Sequence, residues 1–236
     1  MTDNISILIP TYNRISFYPL IVRNLYCQDY DHTKLEVVID DDSPIKLCAK
    51  EIAELQSAIY PIKLIYLKYP RKRSIGEKRN NLVKQAKHKI VCFMDTDDYY
   101  QSTYISHSYQ VLKENQVGCV GSNKLFMFYP PYTSDSIYFL TCGENKELIH
   151  ECTIMFTKKW FNSSQKFNKN SCGEGKKLFD RNTKNVALTD PSKIMFQLCH
   201  DNNTIDKEGF KDNKVTSIEI NIEITDFIKK VVGVKA

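Results

Sequence analysis

Asp95-Thr96-Asp97-Asp98 sets three carboxylates within four residues, directly after the apolar run KIVCFM at 89–94. At the end of a buried strand such groups repel one another and cannot all be well solvated. A hard divalent cation relieves both problems. Mg²⁺ and Mn²⁺ take oxygen ligands, typically one or two carboxylates together with substrate phosphates. The plainer alternative is an acidic cap on the helix that starts near Gln101, for which one carboxylate suffices. A second acidic run, Asp40-Asp41-Asp42, follows the apolar LEVVI of 35–39. It reads either as a solvated turn or as a place where one carboxylate accepts a hydrogen bond from a base edge, such as the N–H of uracil. Arg79, in GEKRN at 76–80, offers a planar guanidinium able to stack on a nucleotide or hydrogen-bond to it. Lys78 and Lys84 beside it fit a solvated helix face, and Arg71-Lys72-Arg73 reads as a basic loop able to assist phosphates. No G-x-x-x-x-G-K-[ST] and no G-x-G-x-x-G occurs, so neither a phosphate loop nor a dinucleotide fingerprint is supported.

Strand-like and helix-like segments alternate through the first half. Apolar runs at 5–9, 35–39, 62–67 and 89–94 read as strands, and helical spacing is found over 16–27, 47–59 and 76–87. Strand and helix in alternation imply an α/β fold with a mostly parallel sheet flanked by helices. Ligands of such sheets bind outside the carboxyl ends of the strands. Three polar clusters follow strands: Thr11 to Arg14, Asp40 to Ser43 and Asp95 to Asp98. They are therefore expected to converge on one crevice. The second half is less regular. A helix is expected over 101–115, short strands at 117–121, 124–129, 136–140, 152–156 and 194–198, and a mobile loop at 162–175, rich in Asn, Ser, Lys and Gly. We expect one domain over 1–204, with a donor-binding half at 1–100 and an acceptor-binding half at 101–204. A C-terminal extension follows over 205–236, in which SIEINIEI alternates and FIKKVVGVKA could touch a surface or a partner.

With 33 basic and 28 acidic residues in 236, the net charge of +5 is mild; it suits an anionic small molecule but does not mark a nucleic-acid binder. The start, MTDNISILIP, lacks the basic and long apolar regions of a signal peptide, and no apolar run is long enough to span a membrane. The eight cysteines form no C-x-x-C pair, and several lie in apolar runs. They are read as reduced core residues of a cytoplasmic protein.

The stretches ILIPTYNR (7–14), LEVVIDDDS (35–43) and IGEKRNNLVKQAKHKIVCFMDTDD (75–98) together resemble the family 2 glycosyltransferases of the GT-A fold, in order and spacing, over roughly the first hundred residues. The resemblance implies a nucleotide-sugar donor, most often a uridine diphosphate sugar, and a bound Mn²⁺ or Mg²⁺. It implies that Pro10, Thr11, Tyr12 and Arg14 line the nucleotide pocket, that Asp41 contacts the base and that Arg79 assists it. Asp95 and Asp97 then form a D-x-D, with Asp95 and Thr96 toward the donor and Asp97 on the metal. The family usually has Gly after its paired aspartates, where this chain has Asp42.

Two later residues fit the same picture. Many relatives carry an acidic pair near the position of Glu174-Gly175, with a carboxylate as general base, which assigns that role to Glu174 here. A late histidine in GT-A enzymes can reach the metal or the diphosphate, which points to His200. The other histidines, His32, His88, His107 and His150, have no partner pattern. The implied reaction is attack of an acceptor hydroxyl, on a glycan, protein or lipid, at the anomeric carbon, with inversion. Two alternatives remain open at this point. One is a sugar nucleotidyltransferase, against which PTYNR, lacking glycine after the first strand, argues. The other is a GT-A-like nucleotide-binding module without activity, which the Glu-Gly departure keeps in play.

Overall fold

A computed structural model describes residues 2–141, 149–179, 183–201, 203, 207–211 and 222–233. In chain order the strands are β1 (Ile5–Thr11), β2 (Leu35–Asp41), β3 (Lys63–Lys68), β4 (Ile90–Phe93), β5 (Tyr99–Tyr100), β6 (Cys119–Gly121), β7 (Lys124–Phe128), β8 (Ile137–Thr141), β9 (Met155–Thr157), β10 (Val186–Leu188) and β11 (Met195–Leu198). The helices are α1 (Tyr18–Tyr26), α2 (Ala49–Ala58), α3 (Ile75–Gln85), α4 (Tyr104–Glu114), α5 (Lys158–Ser163), α6 (Lys176–Phe179) and α7 (Ile222–Val232).

The larger sheet runs β10-β6-β9-β4-β1-β2-β3, and the smaller runs β5-β11-β7-β8. Among the described strands of the larger sheet only β9 is antiparallel to its neighbours, so the mostly parallel α/β expectation holds. Every residue of β2 is buried, as expected of a central parallel strand covered on both faces. The two-residue period of β1 divides its side chains between two core layers. Ile5, Ile7 and Ile9 pack with Ile21 and Leu25 of α1 and Leu55 of α2. Leu8 points the other way, to Leu82 and Val83 of α3 and to Trp160 and Phe161 of α5. Each such fully buried side chain contributes about 1.5–3 kcal/mol of transfer free energy.

The second half departs further from expectation. The two- and three-residue strands β5 and β10 are too short to leave a periodic signal, and a second sheet was not expected. Residues 162–175, expected as a mobile loop, begin with the end of α5 and then pack on α3. Asn80 Nδ2 donates to the Phe167 carbonyl at 2.9 Å, and Gly76 N–H donates to the Asn170 carbonyl at 2.9 Å. The tail helix α7 docks on its own domain, with Ile228 buried against Phe17 and Leu20. Residues 217–221 of the alternating tail segment lie outside the described residues. No helix among the described residues is long and apolar enough to cross a membrane. The seven described cysteines are free thiols; Cys92, Cys119, Cys152 and Cys199 are buried, whereas Cys48 and Cys172 are exposed rather than core residues.

Candidate active site

Parallel pairing brings the strand ends together. Pro10 lies beside Asp40 and Thr11 beside Asp41, while Leu8 pairs with Phe93 just before the acidic cluster. Thr96 Oγ1 donates to the Pro10 carbonyl at 3.2 Å, which ties the cluster to the end of β1. Two buried tyrosines brace β4 from behind. Tyr100 Oη accepts the Asp95 N–H at 2.8 Å, and Tyr104 Oη donates to the Phe93 carbonyl at 2.7 Å.

The three aspartates of the cluster face different partners. Asp97 Oδ2 accepts from Arg14 Nε at 3.0 Å and lies 3.4 Å from His200 Nε2. Burial works against its charge, but His200 and Arg14 outweigh burial and hold its pKa below the ordinary carboxylate value. Asp95 is bonded through both oxygens to Arg79 Nη2 at 3.1 Å. Burial pushes the Asp95 carboxyl up against the pull of Arg79. Asp98 turns inward and accepts the Leu198 N–H at 3.0 Å; it does not cap α4, whose N-cap is Thr103. Burial raises the Asp98 pKa well above normal, and Asp97 and Asp95 add to it. This mutual repulsion is what a divalent cation relieves. Asp97 and His200 offer it an oxygen and an imidazole nitrogen, a donor pair that Mn²⁺ accepts. A second set, Asp95, Asp98 and Cys152, has ligand atoms within 4.8 Å of one another, but the thiol makes it softer and less suited to Mg²⁺ or Mn²⁺.

Arg79 occupies the centre. Its Nε donates to Glu174 Oε1 at 2.9 Å, so one guanidinium joins Glu174 to Asp95, and its Cζ lies 4.6 Å from the centroid of the Phe93 ring. Burial opposes the charge, yet Asp95, Glu174 and Glu151 overcome it and raise the Arg79 pKa. Glu174 reaches Arg79 because of Gly76. A Cβ at residue 76 would sit 1.6 Å from the Asn168 carbonyl oxygen, so only glycine lets the 168–174 loop lie against the first turn of α3. Ser74 begins that turn with a capping box closed by Glu77.

Other expected residues stand elsewhere. Asp41 does not line the cavity; it is buried, accepting from Ser43 N–H at 2.8 Å, from the Ser43 hydroxyl and from Tyr66 Oη. Thr11 is likewise buried, and its carbonyl accepts from Lys78 Nζ at 2.7 Å. Pro10, Tyr12 and Arg14 do line the cavity, as do Arg79, Asp95, Thr96 and Asp97.

Sequence reasoning missed several groups. Lys78, expected on a solvated helix face, is buried, and its Nζ donates to Asp42 Oδ1 at 2.6 Å. Arg73 N–H also donates to Asp42, at 2.5 Å, and the Arg73 guanidinium pairs with Asp40. Asp42 thus anchors the basic loop and α3 to the end of β2. Lys78→Met is expected to lower stability by about 3–5 kcal/mol, because it leaves the buried Asp42 carboxylate without its cation. Lys78→Met combined with Asp42→Asn should recover much of that loss, as measured by denaturant unfolding at pH 7.

The groups line two adjoining cavities of about 210 and 320 Å³. Both are bordered by Ile75, Arg79, Asp95, Asp97 and Ser171. The first is lined on its other side by Tyr12, Arg14, Lys72 and Lys78. The second is lined by Glu151, Glu174, His150 and Lys207. Burial pushes the His150 imidazole down to about 4, and Lys207 adds to the shift. Glu151, His150 and Lys207 have no spacing relation to the aspartates, so no sequence signal marked them.

Residues 6–156 match the sequence model of Glycosyl transferase family 2. The poly(ribitol-phosphate) β-N-acetylglucosaminyltransferase TarS of Staphylococcus aureus strain Mu50 is 30% identical over 94 residues, which cover 40% of this chain and 16% of that protein. The UDP-Glc:α-D-GlcNAc-diphosphoundecaprenol β-1,3-glucosyltransferase WfaP of Escherichia coli is 26% identical over 137 residues, 58% of this chain and 49% of that protein. This chain thus spans half or less of the length of either relative. Among solved structures, TarS 1–349 with UDP-GlcNAc superposes at a TM-score of 0.61 with 15% identity, covering 98% of this chain and 66% of that one. The Pyrobaculum calidifontis mannosyltransferase PcManGT, in complex with GDP-Man and Mn²⁺, superposes at 0.65 with 15% identity, covering 86% of this chain and 59% of that one. Those likenesses establish a shared GT-A fold. Because the matched stretch takes in more than half of the sequence, this protein belongs to glycosyl transferase family 2, a family of sugar-transferring enzymes.

Proposed function

We propose that this chain is a metal-dependent glycosyltransferase that moves a sugar from a nucleotide diphosphate sugar, a UDP-sugar, to an acceptor hydroxyl with inversion. The observation that carries this reading is the shared wall of Arg79, Asp95 and Asp97, which joins a cationic, aromatic cavity to one containing Glu174. The first cavity suits a nucleotide: Tyr12 offers an aromatic face to the base, and Arg14 and Lys72 offer positive charge to the diphosphate. Asp97 and His200 would hold Mn²⁺ or Mg²⁺. A cation bound there supplies electrostatic stabilisation of the charge that develops on the departing diphosphate.

In the second cavity Glu174 accepts the proton of the acceptor hydroxyl. The acceptor oxygen forms its bond to the anomeric carbon while the bond from that carbon to the diphosphate oxygen breaks. The electron pair leaves with the nucleoside diphosphate. A single displacement of this kind inverts the anomeric centre. Arg79 holds the Glu174 carboxylate in place through its Nε. On this reading residues 1–100 form the donor half and 101–204, with Glu174 and His200, the acceptor half of one domain, followed by the extension from 205. The UDP-Glc in the name of WfaP and the UDP-GlcNAc bound to TarS support a uridine donor. The poly(ribitol-phosphate) and diphosphoundecaprenol in the names of TarS and WfaP support a glycan-like or lipid-linked acceptor. Buried free thiols such as Cys92 and Cys119 support a cytoplasmic location.

A donor screen tests the reading. The protein is incubated with Mn²⁺ and each uridine or guanosine diphosphate sugar, and release of the free nucleoside diphosphate is measured. Release from a UDP-sugar is expected. Metal-dependent nucleotide binding without release from any donor, across a broad acceptor set, would make the chain a binding module instead.

A further inference from the structure

Glu151 lines the second cavity and has no part in the reaction just described. It opens the short helical turn Glu151–Thr153, far from Glu174 in sequence, yet its Oε1 accepts the N–H of Gly175 at 2.9 Å. Gly175 is not among the described glycines with positive φ, which are Gly173 and Gly233, so its backbone does not call for glycine. What bars a side chain there is Glu151 itself. A Cβ at residue 175 would lie 2.6 Å from both Glu151 Cγ and Oε1. Such distances are far inside ordinary contact, so the Glu151 carboxyl fills the volume that a side chain at 175 would take. Glu174 is bonded on its other side to Arg79. Its loop is pinned again where Asn168 N–H donates to the Glu174 carbonyl at 2.8 Å.

We propose that Glu151 is a positioning residue for transfer: by accepting the Gly175 N–H it fixes the peptide that follows Glu174, and so the direction in which the Glu174 carboxylate meets the acceptor. Glycine at 175 is the complement of Glu151. The inference rests on Glu174 being the general base. A displacement of about 1 Å at a reacting group can cost on the order of 100-fold in rate. Losing one hydrogen bond behind that group should cost about 10-fold or more, in kcat and not in donor affinity.

The test measures UDP release from UDP-GlcNAc in Mn²⁺, with water as acceptor, alongside UDP affinity, for the full chain and its variants. Glu151→Ala and Gly175→Ala should each lower kcat by about 10- to 100-fold with UDP affinity unchanged. The double variant should be no worse than either single one, because both remove the same contact. Glu151→Gln, whose amide oxygen can still accept the Gly175 N–H, should stay within about threefold of the parent. Wild-type kcat in Glu151→Ala, multiplicative losses in the double variant, or a Glu151→Gln as slow as Glu151→Ala would each overturn the proposal. Glu174→Gln, run in parallel, separates the two readings. If it is inactive while Glu151→Ala is normal, only the positioning role fails; if it turns over normally, the general-base assignment fails and takes the positioning role with it.

Discussion

Asp97→Ala is expected to abolish metal-dependent nucleotide binding, lowering the affinity for UDP in Mn²⁺ by about 100-fold or more. Removal of a mere supporting partner of a metal ligand typically costs about 10- to 100-fold, and removal of the ligand should cost at least that. The expectation follows from the position of one oxygen. Asp97 Oδ2 is 3.0 Å from Arg14 Nε and 3.4 Å from His200 Nε2. Substitution therefore takes away a carboxylate that lies at the mouth of the cavity, between the proposed imidazole ligand and a cation suited to phosphate. Little of the fold depends on it, since the side chain is partly exposed and Asp98, not Asp97, ties the cluster to β11. The change should appear in Mn²⁺ titrations of UDP affinity with the unfolding midpoint nearly unmoved. Unchanged affinity would remove Asp97 from the metal site.

Glu174→Gln is expected to separate binding from chemistry. Turnover should fall by about 100-fold or more, the range for loss of a general base, while UDP affinity stays at the parent value. Glutamine keeps the shape of the side chain, and its amide oxygen can still accept from Arg79 Nε, so the 168–174 loop and the donor cavity should persist. What is lost is the ability to take a proton. The measurement is kcat for release of the nucleoside diphosphate beside the dissociation constant of UDP. A near-normal kcat would reject Glu174 as the base.

The proposed donor side was legible in sequence because parallel strands turn local pattern into position. Three of the four apolar runs end in a polar cluster, which places Thr11, Asp40 and Asp95 on one rim without any knowledge of the helices between them. The expected convergence of Tyr12, Arg14, Asp95 and Asp97 needed only that register. Finer assignments failed to be readable where a side chain's direction depends on a distant partner. Asp41 turns to Tyr66 and Ser43, and Lys78 is buried because Asp42 and the Thr11 carbonyl receive it. Neither fact is encoded in the spacing of the residues concerned. The proposed acceptor side was less legible still. β5 and β10, two and three residues long, are too short to show a repeated alternation, and β9 joins the large sheet antiparallel between β4 and β6. Glu151 is carried to the Glu174 loop by that topology, and Gly175 reads as an ordinary loop glycine until its neighbour is placed.

One crevice, between the end of β1, the start of α3 and the Asp95–Asp98 cluster, is proposed to bind both donor and metal. A crystal structure of the chain with UDP and Mn²⁺, with diffraction collected at the manganese absorption edge, tests this most directly. An anomalous peak is expected within bonding distance of Asp97 and His200, with the uridine against Tyr12. A peak on the Asp95–Asp98–Cys152 set, or a nucleotide bound away from this crevice, would contradict it.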